Sequence, residues 1–229
     1  MLAEKQNPVP AKESAVLNKS RKFNIKNYYH WLYLLVIPAY MLVFCIDERV
    51  VTENYFVMDL PLDNLIPFLE AFIIPYFAWY PFMIGVGAYL IFKDVKGFKK
   101  YMFYIFVSFM VSVFLYLIFP NGQGLRPDIT GNENIFTGMI HILYTIDTPT
   151  NVCPSLHVVG SMAAIFAVFD CEKLKNVFIR IAAVVVGAAI IVSIVFVKQH
   201  SVHDIFISVP YSFLMYFVTY KWLSKKLYK

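Results

Sequence analysis

Two short polar stretches of this chain carry side chains that can perform phosphoryl transfer. Each lies where an apolar segment meets a polar loop: Cys153-Pro154-Ser155-Leu156-His157 and Lys198-Gln199-His200-Ser201-Val202-His203-Asp204. Together they supply histidines, a carboxylate, a hydroxyl and a cation, a set with which a histidine can act as the nucleophile toward phosphorus. The pattern therefore predicts phosphoryl transfer through a histidine, with neither a metal ion nor another cofactor required.

The first stretch is typical of the start of a helix. Proline suits the first helical position because its missing N–H group costs nothing there, and Pro154 is expected to occupy it. The free N–H groups of that first turn, with the Ser155 hydroxyl, would then bind a phosphate through hydrogen bonds and the helix dipole. His157 lies within the same turn, so its ring is expected to reach the same space.

The second stretch provides a nucleophile and its partner. His200 and Asp204 are four residues apart, a spacing that places two side chains on one face of a helical turn. Asp204 is expected to accept the ring N–H of His200, which leaves the other ring nitrogen free to attack. Lys198 and the upstream Arg126 would neutralise the phosphoryl oxygens in the transition state. His203 is interpreted as a spectator.

The composition indicates that a membrane surrounds these residues. The 229 residues are 59% hydrophobic and only 15% charged, with a mean hydropathy of +0.62, whereas soluble domains carry about 25% charged residues. A helix needs roughly 20 apolar residues to cross the hydrocarbon. Six segments are predicted to do so, namely 30–46, 67–92, 101–119, 154–170, 179–197 and 205–223. The sequence therefore predicts an all-α integral membrane protein, a bundle of six transmembrane helices.

The basic residues predict which side of the membrane each loop faces. Most of the 20 Lys and Arg residues lie before span 1, between spans 2 and 3, between spans 4 and 5, or at and after the end of span 6. Because cytoplasmic loops carry the excess of Lys and Arg, both termini are expected in the cytoplasm. Arg49, Arg126 and Lys198 are the exceptions, on the outer side with the two motifs. Since topology explains the net charge of +5, the sequence does not indicate nucleic-acid binding.

The segments outside the spans divide the chain further. Residues 1–25 are polar and basic and are predicted to form a disordered cytoplasmic tail, followed by the membrane domain over 26–229. The acidic outer segment 47–66 suits either a lid or lipid entry gate on the membrane surface or an ordinary connector. Loop 120–153 is the longest and is expected to be irregular, and loops of this length are often functional.

Span 2 is unusually long. Because it contains Pro67, Pro75 and Pro81, it is expected to be kinked or to begin as an interfacial turn. Glu70 lies near its outer end, where a carboxylate either takes part in function or is simply solvated at the interface, and it is left outside the predicted site.

These motifs resemble those of the type 2 phosphatidic acid phosphatase superfamily, which comprises integral membrane lipid phosphatases. The family pattern runs Lys-x6-Arg-Pro, then Pro-Ser-x-His, then Ser-Arg-x5-His-x3-Asp. In this chain Arg126-Pro127 matches the end of the first block, Pro154-Ser155-Leu156-His157 matches the second, and Ser193, His200 and Asp204 match the third. The resemblance covers about residues 30–223 and agrees with six spans and an outward-facing site.

The resemblance implies a mechanism and a set of roles. His200 would attack phosphorus and become phosphohistidine, and Asp204 would orient it. His157 would protonate the leaving group and then activate the acceptor. The phosphoryl oxygens would be held by Arg126, Ser155 and Lys198.

The chain departs from the family pattern at two cations. The Lys of the first block falls on Phe119 and the Arg of the third on Ile194, and Lys198 is expected to replace one of them. The Lys-Gln-His-x-x-x-Asp form is similar to the branch that includes inositol phosphorylceramide synthases and related head-group transferases, as well as unassigned bacterial phosphatases.

Three functions remain open at this point. The resemblance implies foremost a phosphatase that acts on a lipid phosphate or pyrophosphate in the bilayer, with water as the acceptor. An alcohol acceptor would make the same residues a phospholipid or sphingolipid head-group phosphotransferase, and a non-catalytic membrane protein is the third alternative. Size and economy favour a bacterial plasma membrane, with the active site facing outside.

Overall fold

Helices form most of this chain. The computed structural model describes residues 25–50, 54–131 and 134–223, with side chains from Tyr29 onward. The tail predicted over residues 1–25 therefore lies, apart from the backbone of Ile25, outside the described residues.

The secondary structure within these ranges is as follows. The α-helices are α1 (Val36–Val50), α2 (Ile73–Phe77), α3 (Trp79–Lys93), α4 (Val95–Ile118), α5 (Ile135–Ile146), α6 (Leu156–Asp170), α7 (Val177–Phe196) and α8 (Val202–Tyr216). A 3-10 helix, Ile25–Leu35, precedes α1, a π-helix, Phe217–Leu223, continues α8, and short 3-10 turns cover Pro61–Leu65, Glu70–Phe72 and Glu172–Leu174. Strands β1 (Phe56–Val57) and β2 (Asn121–Gly122) pair in parallel, with Phe56 opposite Asn121.

Five helical segments of the described chain are long and apolar enough to cross a membrane. They are Tyr29–Val50, Glu70–Lys93, Val95–Ile118, Val177–Phe196 and Val202–Leu223. They correspond to predicted spans 1, 2, 3, 5 and 6, so the prediction of a helical membrane protein is confirmed at this level. Predicted span 4 is α6, which is apolar but has only 15 residues. A helix of that length extends about 22 Å, less than the roughly 30 Å of the hydrocarbon core.

The second span is broken near its N-terminal end, as its prolines predict. It begins as the 3-10 turn Glu70–Phe72 and continues as α2 and then, after Ala78, as α3. Pro81 lies in the first turn of α3, where it has no N–H group to donate to the carbonyl of Phe77 and its ring crowds that carbonyl, so the helical pattern is interrupted at Ala78. The break leaves Tyr76 and Trp79, on either side of Ala78, packed against the first turn of α6.

Helix α6 lies between the others and packs against α3, α4, α7 and α8. Ten of its 15 residues are buried, including the small Gly160, Ala163, Ala164 and Ala167, which let neighbouring helices approach closely. Gly160 leaves no room for a side chain, because a Cβ atom there would lie 2.7 Å from Nε1 of Trp79. The start of α6 is therefore held in place from several sides.

The outer loop 120–153 differs from its prediction. An irregular loop is wrong for residues Ile135–Ile146, which form α5. Asn134 caps this helix, since its side chain accepts hydrogen bonds from the N–H groups of Phe136 and Thr137. An Asn that precedes apolar residues at helical spacing is a start signal, so the sequence contained the information.

Helix α4 also begins earlier than predicted, at Val95 rather than at residue 101. The Asp94 side chain caps it by accepting a hydrogen bond of 2.9 Å from the N–H group of Gly97. The helix therefore includes Lys96 and Lys100. These lysines do not end the span, because their long side chains can extend from the membrane interface into water.

Candidate active site

Helix α6 begins two residues later in the first motif than predicted. The helix begins at Leu156 with Ser155 as its N-cap residue, so the prediction that Pro154 is the first helical residue is wrong. The N–H group of Ser155 donates to Oγ of Ser208 on α8, at 2.7 Å, and the carbonyl of Pro154 accepts a 2.5 Å hydrogen bond from the Tyr116 hydroxyl. The Ser155 N–H group is thus engaged within the protein, while its hydroxyl remains directed at the second motif.

The second motif forms the start of helix α8. Ser201 is the N-cap residue, and Oδ2 of Asp204 accepts the Ser201 N–H group at 3.2 Å. The same Oδ2 atom lies 3.0 Å from Nδ1 of His200. The expected pair is therefore present, although it forms across the helix start rather than on one helical face, because His200 precedes the helix.

The Asp204 contact determines the tautomer of His200. Asp204 is fully buried and His200 is 7% exposed. Because a carboxylate oxygen accepts hydrogen bonds, we assign the ring proton of His200 to Nδ1. Nε2 then carries the lone pair, and Oγ of Ser155 lies 3.3 Å from this nitrogen. The ring nitrogen that could attack phosphorus faces the first motif.

The two motifs bring their histidines close together. The ring centroids of His157 and His200 are 6.1 Å apart. Ser155 lies on the same helix turn as His157 and contacts His200, so it joins the two. Residues that are more than forty positions apart in sequence thus form one cluster.

Aromatic rings enclose His157. The ring of Tyr76 packs at a centroid distance of 4.2 Å and that of Trp79 at 4.8 Å. Nε2 of His157 is buried without a hydrogen-bond partner among the described residues. Packing rather than hydrogen bonding therefore fixes this imidazole.

Arg126 contacts the second motif through Gln199. One terminal nitrogen donates to Oε1 of Gln199 at 2.9 Å and to the carbonyl of Asp147 at 2.6 Å, and the other donates to the carbonyl of Tyr144 at 3.2 Å. The guanidinium carbon also lies 4.4 Å from the centre of the Tyr144 ring. Burial lowers the pKa of Arg126, and the nearby Asp147 carboxylate acts in the opposite direction. Nε of Arg126 is buried and has no partner within the described chain.

Lys198 points toward the outer segment rather than toward His200. Its backbone adopts a left-handed conformation, with φ of 54°, and Nζ donates to the carbonyls of Asp63 at 2.8 Å and Ile66 at 2.6 Å. Burial lowers the pKa of the Lys198 ammonium, while the Asp63 charge opposes that shift. Two of the three ammonium N–H groups are therefore used to hold the chain around residues 63–66.

Several residues at the cluster were not predicted from the sequence. Asp63, Tyr76, Trp79, Asp147 and Gln199 contact predicted site residues. Asp63 was one carboxylate among several in an acidic segment, and the aromatic residues belong to a chain with 18% aromatic content, where they look like interfacial residues. No signal in one sequence distinguishes them.

The two uncertain polar residues lie outside this cluster. Glu70 accepts a 3.3 Å hydrogen bond from the Asn134 side chain, near the start of α5. His203 contributes its backbone N–H group to the Ser201 hydroxyl, which is part of the helix cap. Neither contact involves His157 or His200.

Comparison with known proteins provides no independent identification. No family model matches the chain, and neither a curated protein nor a solved structure matches it. The interpretation of the cluster therefore depends on its own geometry and on the motifs quoted above.

Proposed function

We propose that this protein is a lipid phosphate phosphatase, which hydrolyses a phosphate or pyrophosphate of a membrane lipid through a phosphohistidine intermediate. The supporting observation is the position of His200, whose Nδ1 bonds to Asp204 while Nε2 faces Ser155. A second imidazole, that of His157, lies 6.1 Å away between ring centres, a distance that a phosphoryl group can bridge. A nucleophile with an orienting carboxylate and a nearby proton donor is the set that this reaction needs.

In the first half of the reaction, Nε2 of His200 attacks phosphorus. The P–N bond forms, and the P–O bond to the lipid breaks. Protonated His157 gives its proton to the departing oxygen. Asp204 keeps the Nδ1 proton in place and stabilises the positive charge that develops on the His200 ring.

In the second half, water attacks the phosphohistidine. His157 takes a proton from that water as the new P–O bond forms. The P–N electron pair returns to Nε2 of His200, and inorganic phosphate leaves. His157 is again protonated and His200 is again neutral, so the enzyme is ready for another substrate.

Three residues are proposed to hold the phosphoryl oxygens. The buried Nε–H group of Arg126 lacks a partner among the described residues, and a phosphoryl oxygen would satisfy it. The Ser155 hydroxyl would turn from Nε2 of His200 to the incoming phosphoryl group. Lys198 has one N–H group left after its two carbonyl contacts, so we assign it a smaller share.

We further propose six spans with both termini in the cytoplasm and the site at the outer face of a bacterial plasma membrane. Helix α6 runs from His157 at the site to Asp170, which pairs with Lys100 at 2.7 Å. Near that end Lys173 donates to the carbonyl of Lys93. A concentration of lysines opposite the site agrees with the positive-inside rule and supports this orientation.

Phosphate release tests the proposal. The purified protein, in detergent with EDTA, is given a panel of lipid phosphates and pyrophosphates. Release that persists with the chelator and disappears in His200→Ala would support the mechanism. His203→Ala is the matched control, because His203 lies in the same motif and contacts Ser201 through its backbone N–H group, which the substitution keeps; it should retain activity. Absence of release from the wild-type protein would contradict the phosphatase, and release from His200→Ala would contradict the nucleophile.

A second candidate, head-group transfer, is favoured by the small number of cations. Phe119 and Ile194 occupy positions where the resemblance leads us to expect Lys and Arg, and Lys198 is largely engaged by carbonyls. A phosphomonoester carries close to two negative charges near neutral pH, whereas a phosphodiester carries one. Arg126 alone balances a diester better. A lipid product that appears only with an added alcohol acceptor would identify this activity.

A further inference from the structure

A carboxylate from the outer segment reaches the start of helix α8. Oδ2 of Asp63 accepts a 2.7 Å hydrogen bond from the Ser201 hydroxyl, and Oδ1 accepts one of 2.8 Å from the N–H group of Val202. Asp63 is only 1% exposed, so water does not compete for these bonds. The site suits an anion, because unpaired N–H groups and the helix dipole converge at a helix N-terminus.

Asp63 is connected to His200 through Ser201 and Asp204. It holds the side chain of Ser201, whose N–H group donates to Oδ2 of Asp204 at 3.2 Å. That same Oδ2 atom is the partner of Nδ1 of His200 at 3.0 Å. A displacement of Ser201 would therefore change the position of the acceptor that fixes the His200 tautomer.

The chain on the other side of His200 is attached to the same place. Nζ of Lys198 donates to the Asp63 carbonyl, and the Lys198 carbonyl accepts a 3.1 Å hydrogen bond from the Gln123 side chain. Within the outer segment, Oδ2 of Asp63 also accepts the Leu60 N–H group at 2.7 Å. Lys198 and Ser201, which flank Gln199 and His200 in the sequence, are thus both hydrogen-bonded to Asp63.

We propose that Asp63 is a positioning residue for the nucleophile. It fixes the start of α8 so that Asp204 presents Oδ2 to Nδ1 of His200, and Nε2 keeps its direction toward the phosphoryl group. This inference rests on the proposed function of His200. It also gives the outer segment a role in catalysis that differs from that of a free lid.

The test compares Asp63→Ala with Asp59→Ala. Asp59 is the matched control, since it lies on the same segment but, within the described residues, accepts only from the N–H group of Gly124, at 3.1 and 3.3 Å. Two quantities are measured in detergent: the kinetics of phosphate release, and the Nδ1–H proton signal of His200 in protein with ¹⁵N-labelled histidine. The signal is assigned by its absence from His200→Ala.

For Asp63→Ala we expect kcat to fall about tenfold to a hundredfold, the loss typical of a misplaced reacting group, with KM within about twofold. The Nδ1–H signal should weaken or vanish through faster exchange with water. Asp63→Asn keeps Oδ1 as the acceptor for Val202 and replaces Oδ2, the acceptor for Ser201 and Leu60, with an amide NH2 group. Its kcat and its signal should therefore lie between those of Asp63→Ala and those of the wild type. Asp59→Ala should retain both the rate and the signal.

The outcomes separate this inference from the proposed function. If Asp63→Ala and Asp63→Asn keep the kcat and the Nδ1–H signal of the wild type, the inference is overturned and the phosphatase stands. If the wild-type protein releases no phosphate, the proposed function fails. The NMR signal then still decides whether Asp63 orders the His200 ring. Because Asp63→Asn keeps the side-chain volume and the Val202 contact and loses the Oδ2 acceptor of Ser201 and Leu60, it provides the answer if Asp63→Ala does not fold.

Discussion

The two histidines of the site are held by different physical means. Hydrogen bonds hold His200: Asp204 contacts Nδ1 and Ser155 contacts Nε2. Ring packing holds His157 between Tyr76 and Trp79, and its Nε2 is left without a partner in the described chain. The region around His200 is polar, and both ring nitrogens have a hydrogen-bonding contact. The region around His157 is aromatic, and one ring nitrogen has no partner among the described residues.

This difference corresponds to what the two proposed roles demand. A nucleophile needs one tautomer and one direction of attack, and a hydrogen bond from Nδ1–H to a carboxylate supplies both. A residue that gives a proton and then takes one must change its protonation state twice in each cycle. Packing by Tyr76 and Trp79 can fix the position of His157 without fixing its proton.

The largest expected effect comes from removing the carboxylate that orients His200. Asp204→Ala removes the acceptor of Nδ1–H, so the His200 ring can adopt the wrong tautomer, and we expect kcat to fall about 10³- to 10⁴-fold. The loss should be the same for an alkyl lipid phosphate and for an aryl phosphate with a good leaving group, because the nucleophile acts on both. Steady-state rates on the two substrates test this, and a loss confined to the lipid substrate would contradict it.

The loss of rate caused by removing the His157 imidazole should depend on the leaving group of the substrate. His157→Ala should lower the rate on an alkyl lipid phosphate about 10²- to 10³-fold, because proton transfer to a poor leaving group is lost. An aryl phosphate leaves without a proton, so its first half-reaction should remain fast. Since the second half-reaction lacks its base, a burst of phenol equal to the enzyme concentration should appear in stopped-flow experiments.

An equal loss on both substrates, without a burst, would show that His157 does not act as the proton donor. In that case the contrast between the two regions would have no mechanistic meaning. Tyr76→Phe serves as the control, because it keeps the ring that packs on His157 and removes only the hydroxyl, which lies 3.4 Å from Asp147.

A smaller change should disturb the aromatic packing without removing a site residue. In Gly160→Ala the new methyl group would lie 2.7 Å from Nε1 of Trp79, so the indole must shift and carry the His157 ring with it. We expect about a tenfold loss on alkyl lipid phosphates and little loss on aryl phosphates, since small displacements of a reacting group are expensive. Gly85→Ala on α3 is the control, because nothing lies within 4 Å of its added methyl group.

The sequence predicted the polar region better than the aromatic one. His200 and Asp204 meet because four residues separate them, so a local rule was enough even though the pair forms across a helix start. The contact between Ser155 and His200 followed from treating two motifs as one site. The aromatic partners of His157 could not be predicted, because they depend on where the break in span 2 packs against α6.

The fold shows the same division between local and long-range information. Apolar length predicted six spans, five of which are helices long enough to cross a membrane in the described chain. The prolines of span 2 predicted a kink or an initial turn, and that span is broken at Ala78. The helix Ile135–Ile146 was missed although Asn134 marks its start, since the surrounding turn residues suggested an irregular loop. Asp63 could not be selected from the sequence, because its partners Ser201 and Val202 lie more than 130 residues away.

The smallest expected effect concerns the hydrogen bond that joins the two regions. The Ser208 hydroxyl accepts the buried N–H group of Ser155, at 2.7 Å, and so ties α8 to the start of α6. Ser208→Ala leaves that N–H group without a partner, and we expect a loss of stability of about 1–2 kcal/mol. The rate should fall about twofold on alkyl and aryl phosphates alike, because both histidines move relative to each other.

Thermal unfolding in detergent and steady-state rates measure the two effects. Ser212→Ala is the matched control, since Ser212 lies one turn further along α8 and its hydroxyl donates to the Ser208 carbonyl of the same helix, at 2.6 Å. A hydroxyl that bonds back to its own helix contributes little to stability, so this variant should behave like the wild type. If Ser208→Ala and Ser212→Ala were equally stable and active, the prediction would be contradicted. Apolar packing, rather than the hydrogen bond between Ser155 and Ser208, would then hold α6 against α8.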